Sequence, residues 1–239
     1  MKHVLIVHAH PEPQSFTSSM RFEATREFEA AGCEVRVSDL YAKHFNPVAS
    51  ADDFSFRTRP DYLVYALEQR HAHEQHSLAP DIAEEVENVV WADLVVFNFP
   101  VFWFSVPAIM KGWIDRVLLS GLFYGGLRFY DRGGLVGKTA WVTLTLGGRP
   151  HMFGPHGIHG ELQGMLSHLL RGTLGYVGFR VLKPFVGFHV PYISQEERRR
   201  VMQDLREAVR HVDTRDALSF PSLDHFDEKL YPLGIITDA

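Results

Sequence analysis

"ADLVVFNFPVFWFSVPAIMKGWIDRV" spans residues 92–117, and it changes period twice. "LVVFNF" (94–99) is a short, almost wholly apolar run, as a buried parallel strand should be. Pro100 and Pro107 then bracket three consecutive aromatics, Phe102, Trp103 and Phe104. Beyond Pro107, Ile109/Met110, Trp113/Ile114 and Val117/Leu118 recur at three- and four-residue steps. That spacing predicts a core-facing helix over 107–119 with Trp113 in its stripe. Lys111 and Asp115, four residues apart, pair on its outer face. The stretch therefore reads as strand, stiffened loop and helix. Apolar faces beside free backbone groups are what a flat heteroaromatic ligand requires of such a loop.

The same alternation runs along the chain. "HVLIVHA" (3–9), "CEVRVSDL" (33–40), "KTAWVTLTL" (138–146) and "FRVLKPFVGF" (179–188) read as further strands. Helical spacing covers 15–32, 80–93, 157–178 and 194–212, the last opening on a Ser194/Glu197 capping box. Five strands alternating with five helices predict an α/β doubly wound parallel sheet with helices on both faces. Residues 43–80 lack a period and carry Pro47, Pro60 and Pro80, so they read as an irregular insertion with one helix. His71, His73 and His76 read as exposed loop residues of it. The tail after about residue 219 is expected on the surface or against a partner. The whole chain, 1–239, is expected to form a single domain.

Bulk properties narrow the function. Of 239 residues, 46% are hydrophobic and 22% charged, ordinary for a globular protein. The net charge of −5 and the lack of a basic block speak against nucleic acid as a partner. Arg198–Arg200 lie in a polar helical stretch and read as a solvated face. One cysteine, Cys33, cannot form an internal disulfide, and the N-terminus has no signal-peptide pattern. A cytoplasmic location is expected.

A doubly wound sheet binds ligands beyond the carboxyl ends of its strands. The first such loop holds His10, Gln14, Ser15 and Thr17 at a helix start, a place that favours phosphate, although Ser15 also reads as a plain helix cap. Neither the P-loop nor the dinucleotide glycine fingerprint is present. The loop after the fourth strand has glycines at 147, 148, 154, 157 and 160 and histidines at 151, 156 and 159. Glycine lets backbone approach a ligand, and imidazole can donate a proton near neutral pH. No metal-ligand spacing and no G-x-S-x-G elbow occur, so no metal is expected. Together the three loops suggest a flavin mononucleotide moiety with its ring near Trp103.

Five segments, "AHPEPQSFT" (9–17), "SDLYAKHFNPV" (38–48), 92–117, "TLGGRPHMFGPHGIHG" (145–160) and "GFRVLKPF" (178–185), resemble, in order, the NAD(P)H:quinone oxidoreductase family. The resemblance spans nearly 2–212 and implies a flavodoxin-like fold. It implies two-electron reduction of quinones by NADH or NADPH, the hydride passing through flavin N5 in a ping-pong cycle. By matched position, His10, Phe16 and Thr17 would hold the pyrophosphate and ribityl region. Val101, Phe102, Trp103 and Phe104 would meet the ring edge, Pro100 setting the turn, with Thr145, Leu146, Gly147 and Gly148 bonding it through backbone. Arg198 is a candidate for the adenosine end and His159 for the charge-stabilising residue beside the ring. The family is a homodimer whose partner closes the pocket; Tyr124 and Tyr130 are candidates for that wall. Two positions depart from the mammalian members. Phe153 replaces the tyrosine of a proton relay, and Gly126 replaces a second pocket tyrosine. FAD is favoured over FMN because of chain length and the first-loop and insertion motifs. Two other roles stay open on the same fold: a nitro- or azo-compound reductase, and an ancillary flavoprotein associated with a potassium-efflux transporter.

Overall fold

Three of the strands form on short, buried apolar runs and one, at the edge of the sheet, on an alternating polar segment. The computed structural model describes residues 1–234. Its parallel strands are β1 (His3–His8), β2 (Glu34–Asp39), β3 (Leu94–Pro100) and β4 (Thr139–Thr145), hydrogen-bonded in the order 2-1-3-4. Alternate residues of each strand serve opposite faces. Val4, Ile6, Leu94 and Val96 join one core cluster; Leu5, Val7, Val95, Phe97 and Phe99 join the other. Helix α1 (Phe16–Ala30) covers the first face through Met20, Ala24 and Phe28. The second face is covered by α3 (Pro80–Trp91) and α4 (Ala108–Val117), with Trp113 fully buried. The sheet is doubly wound, as the alternation predicts.

The fifth strand needs correction. The run 179–188 divides into β5 (Arg180–Val181) and β6 (Phe185–Gly187), both paired with β4, so the sheet has six strands rather than five. Ala140 and Thr143 of β4 face Val181 and Phe185, so three steps on one strand oppose four on the other. The surplus residue lies beside Pro184, which has no N–H to give the ladder.

Two helical readings also change. The predicted helix over 157–178 begins only at α5 (Leu162–Met165), continues as α6 (Ser167–Leu169) and ends in a π-helical segment, Leu170–Gly175. Backbone bonds such as Gly154 N–H to Gly160 C=O fold 154–160 as a loop instead. In the insertion, α2 (Tyr65–Glu74) carries His71 and His73, both half-buried; of the three histidines only His76 is an exposed non-helical residue. Helix α7 (Gln195–Arg210) keeps its predicted capping box and packs on α1, where Arg206 and Arg210 reach Glu23 and Glu27.

The insertion is tied down by a buried ion pair. Arg116 of α4 donates to Asp53 at 2.8 Å, to Asp81 at 2.6 Å and to the Asn46 carbonyl at 2.8 Å. The tail runs over the Tyr130 loop, where Arg132 meets Asp224 at 2.7 Å. Among the described residues, no helix is long and apolar enough to cross a membrane.

Candidate functional site

The switch in strand order falls between β1 and β3, and because the strands are parallel the loops after β1, β3 and β4 leave the sheet on the same edge. A polar row anchors that edge. His8 Nδ1 lies 2.6 Å from Asn98 Oδ1, and Asn98 Nδ2 donates to Thr143 Oγ1 at 2.9 Å. His8 Nε2 reaches Ser18 Oγ at 3.1 Å, joining the row to the start of α1. Burial lowers the His8 imidazole below its ordinary value of 6.5, so the ring is neutral there. Burial also lowers His10, whose Nδ1 accepts from the Glu12 N–H at 2.9 Å.

The first loop ends in a capped helix. Ser15 Oγ accepts from Ser18 N–H at 3.0 Å, so the cap reading of Ser15 holds. Phe16 and Thr17 follow it as the first residues of α1, where a helix has unpaired N–H donors. Thr17 Oγ1 bonds Thr145 Oγ1 at 2.7 Å, locking this turn to the end of β4.

The second loop is a strained turn. Val101 N–H extends the ladder to the Thr145 carbonyl at 2.8 Å. Phe102 and Ser105 then exchange both backbone hydrogen bonds at 3.0 Å. The two residues between them, Trp103 and Phe104, have φ of +50° and +57°. Such a turn normally selects glycine or asparagine; an aromatic pair there carries strain. The Trp103 side chain is 96% exposed, standing out of the molecule.

The third loop brings His159 opposite Phe104. Their rings lie 5.3 Å apart, and the Phe153 ring also packs against His159, at 5.3 Å. The His159 N–H is held by the Met152 carbonyl at 2.9 Å. Phe153 lies directly on Gly148: a Cβ at that glycine would meet the ring at 2.8 Å. Glycine at 148 is thus what lets the aromatic ring approach the backbone here.

The loops enclose one groove with two chambers. The smaller, the mouth, about 250 Å³, is bounded by Val101, Trp103, Phe104, Gly148, Phe153 and His159. The second, about 350 Å³, runs past His10, Phe16, Thr17, Pro100, Phe102 and Thr145 to Arg198. Val101, Leu146 and Gly147 line both. Arg198 lies 5.3 Å above the Phe16 ring and donates to the Pro191 carbonyl at 2.7 Å. A flavin fits this donor set. The apolar chamber suits a planar ring, with Gly147 presenting backbone and no side chain to both chambers, and the second chamber ends on a helix start and a guanidinium.

Three of the predicted residues stand elsewhere. Tyr124 and Tyr130 pack on Tyr176 at 5.7 and 5.8 Å, in an aromatic cluster that also includes Phe129 and Phe220. Gly126, with φ of +61°, lies nearby in open space. None of the three lines either chamber within one chain. Conversely, Leu162, Met165 and Leu166 form a wall of the mouth, and Val190 and Pro191 border the second chamber. The helical spacing of the first three was legible, but not the side it would face.

Residues 2–212 match the family model described as a flavodoxin-like fold. Mouse ribosyldihydronicotinamide dehydrogenase [quinone] is 42% identical, over 88% of this chain and 92% of that protein. Guinea-pig NAD(P)H dehydrogenase [quinone] 1 is 34% identical, over 95% of this chain and 83% of its own. The chain belongs to the NAD(P)H:quinone oxidoreductase family. The family fold extends to solved structures: a Klebsiella pneumoniae protein assigned to the quinone reductases superposes with a TM-score of 0.92. It is 34% identical and covers 98% of this chain and 92% of its own.

Proposed function

We propose that this oxidoreductase reduces quinones by two electrons at the expense of a reduced nicotinamide, in a ping-pong cycle. The observation that carries the reading is the pair of adjoining cavities, sharing Val101, Leu146 and Gly147, to which all three strand-end loops contribute. Bound there, FAD would accept a hydride from the donor and return it to the acceptor. Val101 and the Trp103–Phe104 turn would hold the ring edge, the backbone of Thr145 to Gly148 would border it, and Phe16, Thr17, His10 and Arg198 would hold the phosphate and adenosine end. The second chamber's reach to Arg198 supports FAD over FMN.

The chain's own chemistry centres on His159. A quinone that gains a hydride also needs a proton. His159, in contact with Phe104 and Phe153, is the titratable side chain bounding the mouth. Phe153 has no hydroxyl, so a relay through that position is closed, and His159 acts alone or through water. Donor and acceptor use the same mouth in turn, which is why the cycle is ping-pong.

The relatives' names bring two donor classes into the test, NAD(P)H and ribosyldihydronicotinamide. The decisive experiment is chromatography of heat-released flavin, followed by oxidation of NADH, NADPH and ribosyldihydronicotinamide with and without a quinone. The expected result is FAD and quinone-dependent oxidation. A protein that stays colourless after flavin soaking would defeat the proposal.

A further inference from the structure

The mouth of the groove is built from two walls distant in sequence. One is the aromatic turn, Val101, Trp103 and Phe104; the other is Leu162, Met165 and Leu166, on and just after α5. Among the described residues, the side-chain hydrogen bond that joins them runs from Ser105 Oγ to His168 Nε2, at 2.9 Å across 63 positions. Ser105 closes the strained turn, and His168 lies in α6, immediately behind the second wall.

The geometry fixes the bond's direction. His168 Nδ1 lies 3.2 Å from the Met165 carbonyl, which can only accept. In the neutral ring Nδ1 therefore carries the hydrogen, and the Ser105 hydroxyl donates to Nε2. His168 thus grips both walls: Met165 through its carbonyl and the turn through Ser105.

The turn needs such a tie. Two consecutive non-glycine residues with positive φ cost free energy that the surroundings must offset. Trp103 contributes little packing because it is almost fully exposed. What remains is the pair of backbone bonds between Phe102 and Ser105, the contact of Phe104 with His159, and the Ser105–His168 bond.

We propose that His168 is a positioning residue: through Ser105 it holds the Trp103–Phe104 turn against the α5 wall and so sets the width of the mouth that receives the quinone. The effect on quinone binding rests on the function proposed above; the mechanical tie does not. The test uses the full-length protein with its flavin content measured, comparing Ser105→Ala, His168→Ala, His168→Gln and the Ser105→Ala/His168→Ala pair. Hydrogen exchange at the Phe102 and Ser105 amides is read in both the flavin-free and flavin-loaded forms. The expected result is roughly fivefold faster exchange in either alanine variant, no further gain in the double variant, and partial restoration in His168→Gln. The quinone KM rises in the same order while kcat changes less. Unchanged exchange in both single variants, or effects that simply multiply in the double, would overturn the tie. If His168→Ala fails to fold, Ser105→Ala, which removes one hydroxyl, carries the same reading. A wild-type protein that binds no flavin would sink the proposed function, while exchange in the flavin-free form would still report on the tie.

Discussion

At the residue scale, His159 and His8 are both histidines near the same sheet edge, and their surroundings give them different work. His159 packs against two aromatic rings at the mouth. Substituting His159→Ala should slow a half-reaction by about a hundredfold while flavin stays bound. Stopped-flow rates equal to wild type would remove its role. His8 is 1% exposed and bonded on both nitrogens, so its depressed pKa is a statement about stability. The unfolded chain takes up a proton near 6.5 and the folded chain does so only lower. Stability from this group is therefore complete above that range and is lost as pH falls below it. Thermal unfolding followed from about pH 7.5 to about pH 5.5 should show Tm falling. His8→Gln should lower Tm throughout but flatten the slope, with His10 supplying what remains. An equal slope in the variant would place the titration elsewhere.

At the scale of elements, helix α4 is the hub. Its apolar stripe packs under the sheet, while Gly112 and Arg116 meet the insertion. A Cβ at Gly112 would lie 2.1 Å from the Pro47 carbonyl oxygen, and that neighbour is backbone. Alanine normally gains about 1 kcal/mol over glycine within a helix. Here the clash outweighs that gain, and Gly112→Ala should destabilise by about 1–3 kcal/mol net, measured by urea unfolding. A stabilised variant would show that the insertion moves aside freely. The strain in the Trp103–Phe104 turn belongs to this scale as well, because it arises where β3 must hand over to α4. The apolar run and the stripe on either side were plain in the sequence. The positive φ values were not, because aromatic residues carry no local signal for them.

For the whole molecule, the mouth is open on one side within a single chain. Trp103 is 96% exposed and Ile158, beside His159 in sequence, 82% exposed. Tyr124 and Tyr130 form a separate aromatic face, edged by Leu127 at 48% exposure. A second copy that brings that face over the mouth would cover both patches, which supports the homodimer reading. Leu127→Asp is predicted to shift sedimentation toward monomer and to raise the quinone KM. An intact dimer with unchanged KM would remove this face from the site. The sequence by itself determined the alternation, the position of the strand-end loops and the residue types in them, because buried strands and amphipathic helices write their periods locally. It could not foresee the split of the last strand at Pro184, the late start of α5, or the facing of Leu162, Met165 and Leu166 into the mouth. Nor did it hold any sign that Ser105 and His168 meet. Those features depend on register and on packing between segments tens of residues apart, and only the tertiary structure decided them.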